Sequence, residues 1–400
     1  MLSPTKVSMT RTKQTMPMSK NFALIVVAVF ILAASGFGIV VGCAQGGFAP
    51  GSPLYFSYVT DAGASPGIYS YTASPSNKLN QILGSPFSAS TSPFGLAVDI
   101  FNRFLYVTDN GASPGLYAYS IISTTGSLKQ IAGSPFLAST FPYNLAMEST
   151  GRFLYVGDRG AVPGIYVYTI NSSTGVLTQL SNSPFSASTN PIGIAVDPLS
   201  RFVFETDRGA AIGIYAYTIN PNSGALTQVA GSPFTAGTQP NRVIVDPTGR
   251  FVYVTNDFPT AGIYGYTINP ASGALISMPN SPYSTGVFGP NGVAIDPAGR
   301  FIYEPTNGGG IYGYAINSGT GDLTLIPGSP FLFNLSPSST LSVDPTGQYL
   351  WMANPAGPGI YILHIDQSTG ALVQIPASPL SSSTSPANTL VIGISQPRYP

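Results

Sequence analysis

The sequence predicts an all-β protein, a seven-bladed β-propeller whose blades are four-stranded antiparallel sheets. A Ser-Pro-aromatic tripeptide, replaced once by Ser-Pro-Leu, recurs along the chain at intervals of 48 or 49 residues. Four short runs of aliphatic, β-branched and aromatic residues lie between successive copies, separated by turn residues. This period and four strands per unit are typical of a propeller blade. The prolines of the seven copies are Pro86, Pro135, Pro184, Pro233, Pro282, Pro330 and Pro379.

The unit that ends at Phe234 shows the predicted strands of one blade. They lie at Ile192–Val196, Arg201–Thr206, Gly213–Ile219 and Ala225–Ala230. A single unit cannot bury both of its apolar faces, so the units must pack against one another. We therefore predict one propeller domain at residues 54–395, followed by a tail at 396–400.

The two ends of the chain are predicted to share the first blade. The chain enters that blade at its second strand, Leu54–Thr60, and continues through Gly67–Thr72 and Lys78–Leu83. The missing first strand is Pro386–Ser395, which aligns with the first strands of the other units. Its pairing beside Leu54–Thr60 would close the ring and leave no open sheet edge between blades.

The N-terminal segment is predicted to export the protein or anchor it in a membrane. A basic region precedes an apolar run of about twenty residues, so residues 1–42 are either a signal peptide or an uncleaved anchor. Val40-Val41-Gly42-Cys43 resembles the lipobox of bacterial lipoproteins, in which the cysteine is acylated. Residues 43–53 would then be a tether. Lipoprotein, uncleaved anchor and ordinary cleaved signal all place the propeller outside the cytoplasm, at the cell envelope.

Composition excludes several classes of partner and cofactor. Four of the 15 basic residues precede Cys43, which leaves 11 against 15 acidic residues and no basic patch for nucleic acid. The chain has no phosphate-binding glycine loop and no spacing typical of a metal site, so we expect no cofactor and no metal. We expect a monomer. Acid–arginine pairs such as Asp197 and Arg201 flank predicted turns, and we interpret them as exposed ion pairs of small energy.

Several repeat motifs resemble those of a known family. The sequences GRFLYVGD at 151–158 and GRFVYVTN at 249–256 are followed by GIYxY and then by TGVL or SGAL. These motifs resemble the seven-bladed lactonase-type and YVTN-repeat propellers, which include 6-phosphogluconolactonases. The resemblance implies His, Arg and Glu side chains at the mouth of the central channel. Histidine often follows the proline of the first strand in that family, but the corresponding residues here are Phe94, Tyr143, Ile192, Asn241, Asn291, Ser338 and Ala387. The only histidine, His364, is predicted on the opposite face.

Charged and amide residues that break the repeat predict a polar sector at the upper rim of blades three to six. The predicted ligand-binding residues are Asp158, Arg159, Asp207, Arg208, Arg242, Asn256, Asp257 and Asn307. Arginine forks suit an anionic or sugar-like ligand, although an Asp or Asn at a strand end can instead cap the following turn. Glu205 and Glu304 replace an apolar residue that faces a neighbouring blade, where a carboxylate must be paired, hydrated or protonated.

Two functions remain open from the sequence. The first is a binding or assembly module for a small polar or sugar-like ligand or an envelope protein. The second is a lactone hydrolase in which Glu205 or Glu304 acts as general base, and Arg208 or Arg242 polarises the lactone carbonyl. The lactone hydrolase requires these four side chains to share one cavity.

We predict that Cys43→Ser abolishes lipid attachment, because no other residue of the chain can form the thioether. Metabolic labelling with palmitate, followed by membrane fractionation, measures this. A wild-type protein that incorporates no label but stays in the membrane would instead support the uncleaved anchor.

Overall fold

The computed structural model describes the seven sheets of the propeller. The described residues are 55–63, 65–73, 79–89, 91–136, 140–185, 188–257, 262–284, 292–307, 310–332, 340–354, 359–376, 378 and 390–394. The predicted signal or anchor, the tether and the tail lie outside them, so the predicted domain boundaries stay predictions. Within the described ranges, no helix is long and apolar enough to cross a membrane.

The strands follow the predicted order in every blade, from the innermost to the outermost. Blade one consists of β30 (Leu390–Ile394), β1 (Tyr55–Asp61), β2 (Gly67–Ala73) and β3 (Leu79–Gln81). Blade two consists of β4 (Pro93–Val98), β5 (Phe104–Asp109), β6 (Gly115–Ile121) and β7 (Leu128–Gln130). Blade three consists of β8 (Pro142–Met147), β9 (Phe153–Asp158), β10 (Gly164–Ile170) and β11 (Leu177–Gln179). Blade four consists of β12 (Pro191–Val196), β13 (Phe202–Asp207), β14 (Gly213–Ile219) and β15 (Leu226–Gln228).

The last three blades have the same order, and two of them gain a short extra strand. Blade five consists of β16 (Pro240–Val245), β17 (Phe251–Asn256), β18 (Gly262–Ile268), β19 (Leu275–Ser277) and β20 (Tyr283–Ser284). Blade six consists of β21 (Ala294–Ile295), β22 (Phe301–Pro305), β23 (Gly310–Ile316), β24 (Leu323–Leu325) and β25 (Phe331–Leu332). Blade seven consists of β26 (Thr340–Val343), β27 (Tyr349–Asn354), β28 (Gly359–Ile365) and β29 (Leu372–Gln374). The seven antiparallel sheets confirm the predicted fold class.

The Ser-Pro-aromatic motif explains why the outermost strands are shorter than predicted. In blade four, β15 ends at Gln228, and the hydroxyl of Ser232 accepts the backbone N–H of Ala216 that the sheet leaves without a strand partner. Phe234 then returns to the sheet edge, where its N–H and C=O pair with the backbone of Ile214. A seryl side chain thus replaces one ladder bond where the chain leaves the sheet.

The acid–arginine pairs do more than the predicted exposed ion pairs, which corrects that interpretation. The carboxylate of Asp197 is buried and accepts the backbone N–H groups of Arg201 and Phe202, at 2.5 and 2.9 Å. The guanidinium of Arg201 bonds to this carboxylate at 2.7 Å and to the carbonyl of Gly249 in the next blade at 2.8 Å. The acid therefore organises the turn, and the arginine links two blades.

The innermost strand of blade one comes from the end of the chain. β30 pairs antiparallel with β1, in a register that places Leu390 opposite Val59 and Ile394 opposite Tyr55. The two ends of the propeller are therefore joined by a backbone ladder.

We predict that deletion of residues 386–400 lowers the melting temperature or causes aggregation, because it exposes the edge of β1. Thermal unfolding and light scattering measure this. Deletion of 396–400 alone is the control. Equal melting of the two truncated proteins would show that the end pairing contributes nothing to stability.

Candidate anion site at the channel mouth

A β-bulge at the start of the innermost strands shapes the mouth of the central channel. The pairing register shifts by one residue after the proline that opens β4, β8, β12 and β16. A bulge re-aims the side chain at the extra residue and often lies beside a functional site. Phe94, Tyr143 and Arg242 lie at these bulges. Arg242 of blade five places its guanidinium carbon 5.4 Å from the centre of the Phe94 ring of blade two, so its side chain crosses the mouth.

A rigid loop presents Arg159 at this mouth. Arg159 follows β9, and its backbone N–H donates to the carbonyl of Phe141 in the preceding loop at 3.0 Å. The next two residues are fixed as well, because Gly160 N–H donates to Asp158 Oδ1 at 2.7 Å and Ala161 N–H donates to Thr140 Oγ1 at 2.9 Å. We call this arrangement the Asp-X-Gly-Ala loop, in which Arg159 is residue X.

The hydrogen bond from the glycine to the aspartate recurs in blades one, two and four, and residue X varies. Asp61, Asp109 and Asp207 accept the N–H of the glycine two residues later, as Asp158 does. Residue X is Ala62, Asn110, Arg159 and Arg208 in turn. The hydrogen bonds of the loop therefore fix its backbone conformation, and the side chain at position X determines which chemical group the loop presents.

Aromatic rings support the Arg159 guanidinium. Its central carbon lies 3.6 Å from the centre of the Tyr143 ring and 5.0 Å from that of Phe141. Phe94 stacks on Tyr143, with ring centres 4.1 Å apart. The side chain of Arg159 makes no hydrogen bond or ion pair with any described residue. Its face is therefore held by cation–π contacts, while its N–H donors are available to a ligand.

Arg208 is held by backbone carbonyls beside the same cluster. Its Nε donates to Pro240 O at 2.9 Å and its Nη2 donates to Gln239 O at 3.3 Å, while Asp257 lies 3.9 Å away. Burial lowers the pKa values of Arg159, Arg208 and Arg242, and Tyr143 opposes this shift at all three. The charges of Arg159 and Arg208 each lower the pKa of Arg242 further. Three partly desolvated guanidiniums thus surround one phenol, an arrangement that favours an anion.

The structure brings together Arg159, Arg208, Arg242 and Asp257 from the predicted ligand-binding set. Asp158, Asp207 and Asn256 lie beneath them, fully buried, where the side chains of Asp207 and Asn256 accept backbone N–H groups of the blade-to-blade loops. Asn307 is exposed at the end of β22 and makes no described contact with the arginines. The turn-capping alternative therefore holds for the buried Asp and Asn side chains.

Glu205 and Glu304 do not join the arginines, so the four residues predicted to share one cavity are dispersed. Both glutamates are fully buried, and no described residue makes a well-formed hydrogen bond to either carboxyl, although the hydroxyl of Ser188 lies close enough to Glu205 to interact with it. A Cβ atom added to Gly157 would lie 3.9 Å from Glu205 Oε1, which places this carboxyl in the seam between blades three and four. Glu304 occupies the equivalent position of blade six.

Burial makes both glutamates neutral at pH 7. It raises the pKa of Glu205 to about 8, and the charge of Asp207 adds to this rise while the hydroxyl of Ser188 opposes it. Burial alone raises the pKa of Glu304 to about 8. A carboxyl buried between strands, with no exposed surface, cannot reach a lactone at the channel mouth, so neither glutamate is placed to act as the predicted general base.

The aromatic members of the site were missed from the sequence. Phe94 and Tyr143 were noted only as residues that stand where the resembling family has histidine. Their recurrence after the first-strand proline was the available signal. His364 lies on β28, edge-on to the Tyr349 ring at 5.6 Å and away from the cluster. In the described part of the chain, no group of three or more His, Cys, Asp or Glu residues could hold a metal ion.

Comparison with known proteins agrees with the seven blades and the sequence motifs. The family model of the lactonase seven-bladed β-propeller matches residues 136–233 and 182–288. The resemblance to the seven-bladed lactonase-type propellers is confirmed. A search of curated proteins found no match to this chain.

Solved structures share the same fold at low sequence identity. A proposed 6-phosphogluconolactonase from Bacteroides fragilis is 19% identical with a TM-score of 0.70, covering 86% of this chain and 99% of its own. A periplasmic gluconolactonase from Pseudomonas aeruginosa is 17% identical with a TM-score of 0.69, covering 86% of this chain and 99% of its own. At such identities the likeness of these structures to this chain extends to the fold alone.

We predict that stability falls as pH rises from about 4.5, the ordinary pKa of the glutamates, to about 8. In this window the unfolded state releases two protons that the folded state retains. The free energy of unfolding therefore decreases by about 1.4 kcal/mol per unit of pKa difference for each glutamate. Glu205→Val with Glu304→Val, which copies Val156 and Val254 of other blades, should remove most of this dependence.

Thermal unfolding between pH 5 and pH 9 measures the effect, and Asp257→Asn, which removes a half-buried carboxylate at the channel mouth, is the control. A double variant that loses as much stability with pH as the wild type would contradict the prediction.

Proposed function

We propose that this protein is a binding module that captures a small carboxylate- or phosphate-bearing ligand at the channel mouth. The observation that carries this proposal is the Arg159 guanidinium, which is fixed over two aromatic rings and has no hydrogen-bond partner among the described residues. Holding the planar fork in place before binding reduces the entropy lost when a bidentate anion docks.

The neighbouring charges support an anionic ligand over a neutral one. Arg208 and Arg242 add two guanidiniums, and Asp257 lies 3.9 Å from Arg208. A charge-assisted hydrogen bond at a partly buried site contributes about 1.5–3 kcal/mol. One anion at the centre would also relieve the mutual repulsion of the three cations.

Lactone hydrolysis is the second candidate, and the family model favours it. An arginine at the mouth could polarise a lactone carbonyl. Glu205 and Glu304 are too deeply buried to activate water, however, so the chain needs another base for this reaction. The binding function needs no such group and is therefore preferred.

Export and anchoring complete the proposal. The basic and apolar segment before Cys43 supports an extracytoplasmic location and attachment to the membrane through the N-terminus. One structure of similar fold is named as a periplasmic protein. We propose a monomer at the cell envelope whose primary partner is a small ligand, with an envelope protein as the alternative partner.

We predict that Arg159→Asn with Arg208→Asn weakens the binding of gluconate and 6-phosphogluconate by about 1.5–3 kcal/mol per charged hydrogen bond lost. The fold should be unaffected, since Asn110 occupies position X of the same loop in blade two. Isothermal titration calorimetry and thermal unfolding measure the two effects.

The matched control is Arg152→Ala, which removes one positive charge from the turn before β9, at the opposite end of that strand from Arg159. If the double variant bound gluconate and 6-phosphogluconate as tightly as the wild type does, the proposed anion site would be wrong. Release of acid from gluconolactone or 6-phosphogluconolactone by the wild type, lost in the double variant, would favour the hydrolase instead.

A further inference from the structure

Exposed apolar side chains lie beside the arginines at the mouth, and we call them the apolar rim. They are Phe141, Val162 and Ile212, which are 36%, 54% and 43% exposed. The equivalent residues of blade two are Ser92, Ser113 and Pro114. Blades three and four therefore replace two serines and a proline by larger apolar groups where their loops carry arginine.

The apolar rim belongs to, or contacts, the Asp-X-Gly-Ala loops that carry the arginines. Phe141 accepts the backbone N–H of Arg159, and its ring lies 5.0 Å from that guanidinium. Val162 belongs to the loop of Arg159, and its carbonyl accepts the Tyr166 hydroxyl at 3.1 Å. Ile212 belongs to the equivalent loop of Arg208. Arg159 and Arg208 thus each have an exposed apolar residue on the same loop.

The loops that carry Arg159 and Arg208 offer little to a polyhydroxylated ligand. The residues that follow Arg159 and Arg208 read Gly-Ala-Val-Pro and Gly-Ala-Ala-Ile, none of which has a hydrogen-bonding side chain. The acids that open the two loops, Asp158 and Asp207, are fully buried and accept backbone N–H groups. Sugar hydroxyls brought against these loops would lose water without gaining side-chain partners, which is unfavourable.

We propose that the ligand is a carboxylate carried on an apolar body, such as a short acyl chain or an aromatic ring, and not a polyhydroxy acid. This inference rests on the proposed anion site and specifies what that site selects. The carboxylate pairs with the edge of Arg159, and the apolar body covers Phe141 and Val162. Burial of about two methylene groups is sufficient for tenfold selectivity.

Calorimetric titration of the full-length protein with hexanoate and gluconate tests the proposal, because the two acids have equal charge and six carbons each. The wild type should bind hexanoate about tenfold more tightly. Phe141→Ser with Val162→Ser, which installs the residues of blade two, should reduce the affinity ratio of hexanoate to gluconate towards one. If the two substitutions acted only by displacing Arg159, the binding of both acids would weaken equally and the affinity ratio of hexanoate to gluconate would not change.

Val373→Thr is the control for loss of exposed apolar surface, since Val373 is 61% exposed on the outermost strand of blade seven. It should leave the ratio unchanged. Gluconate binding at least as tight as hexanoate binding, or a ratio that the double serine variant does not change, would overturn the apolar preference while leaving the anion site intact. If neither these acids nor 6-phosphogluconate bind the wild type, the anion site itself is overturned and this inference with it.

Discussion

Five of the seven blades pack against the next through a hydrogen bond from a buried tyrosine to the carbonyl of a glycine in the neighbouring hairpin. Tyr106 of β5 donates to Gly175 at 3.0 Å, and four further tyrosines of the second strands make the same bond: Tyr58, Tyr155, Tyr253 and Tyr303. The glycine is obligatory, because a Cβ atom at Gly175 would lie 2.6 Å from the Phe104 ring. Inside the seam a lost hydrogen bond would leave a buried polar group unsatisfied, at a cost of about 1–3 kcal/mol.

These contacts lie between the blades, away from the loops that carry the arginines. The turn acids and their arginines link neighbouring blades at the opposite ends of the second strands from Arg159 and Arg208. At the channel mouth, Arg208 also reaches the next blade through the carbonyls of Gln239 and Pro240, whereas Arg159 makes no such hydrogen bond among the described residues. Most of the described contacts between blades thus lie away from the proposed anion site.

The fold followed from the sequence because its signals are local and repeated. Turn residues, alternating strands and the Ser-Pro-aromatic motif each depend on neighbours within one blade. The candidate site followed only in part, since convergence around a channel depends on residues from different blades. Arg208 and Arg242 were expected near each other, and they are.

What the sequence did not reveal depends on three-dimensional packing. Strand alternation placed Glu205 towards a neighbouring blade, but alternation alone does not distinguish a cavity wall from a sealed seam. The stacking of Phe94 and Tyr143 requires bulges whose extent is set by pairing with the next strand. The burial of Asp158 and Asp207 likewise depends on the preceding blade-to-blade loop, which local patterns do not specify.

The Asp-X-Gly-Ala loop separates the side chain that would meet the proposed ligand from the groups that maintain the backbone. Alanine, asparagine and arginine occupy position X in successive blades while the acid and the glycine keep the same contacts. Single substitutions at X can therefore change the charge around the mouth without a compensating change elsewhere in the loop. A repeated blade therefore supplies several positions X that can be substituted one at a time. Ligand preference can change through these substitutions while the fold stays the same.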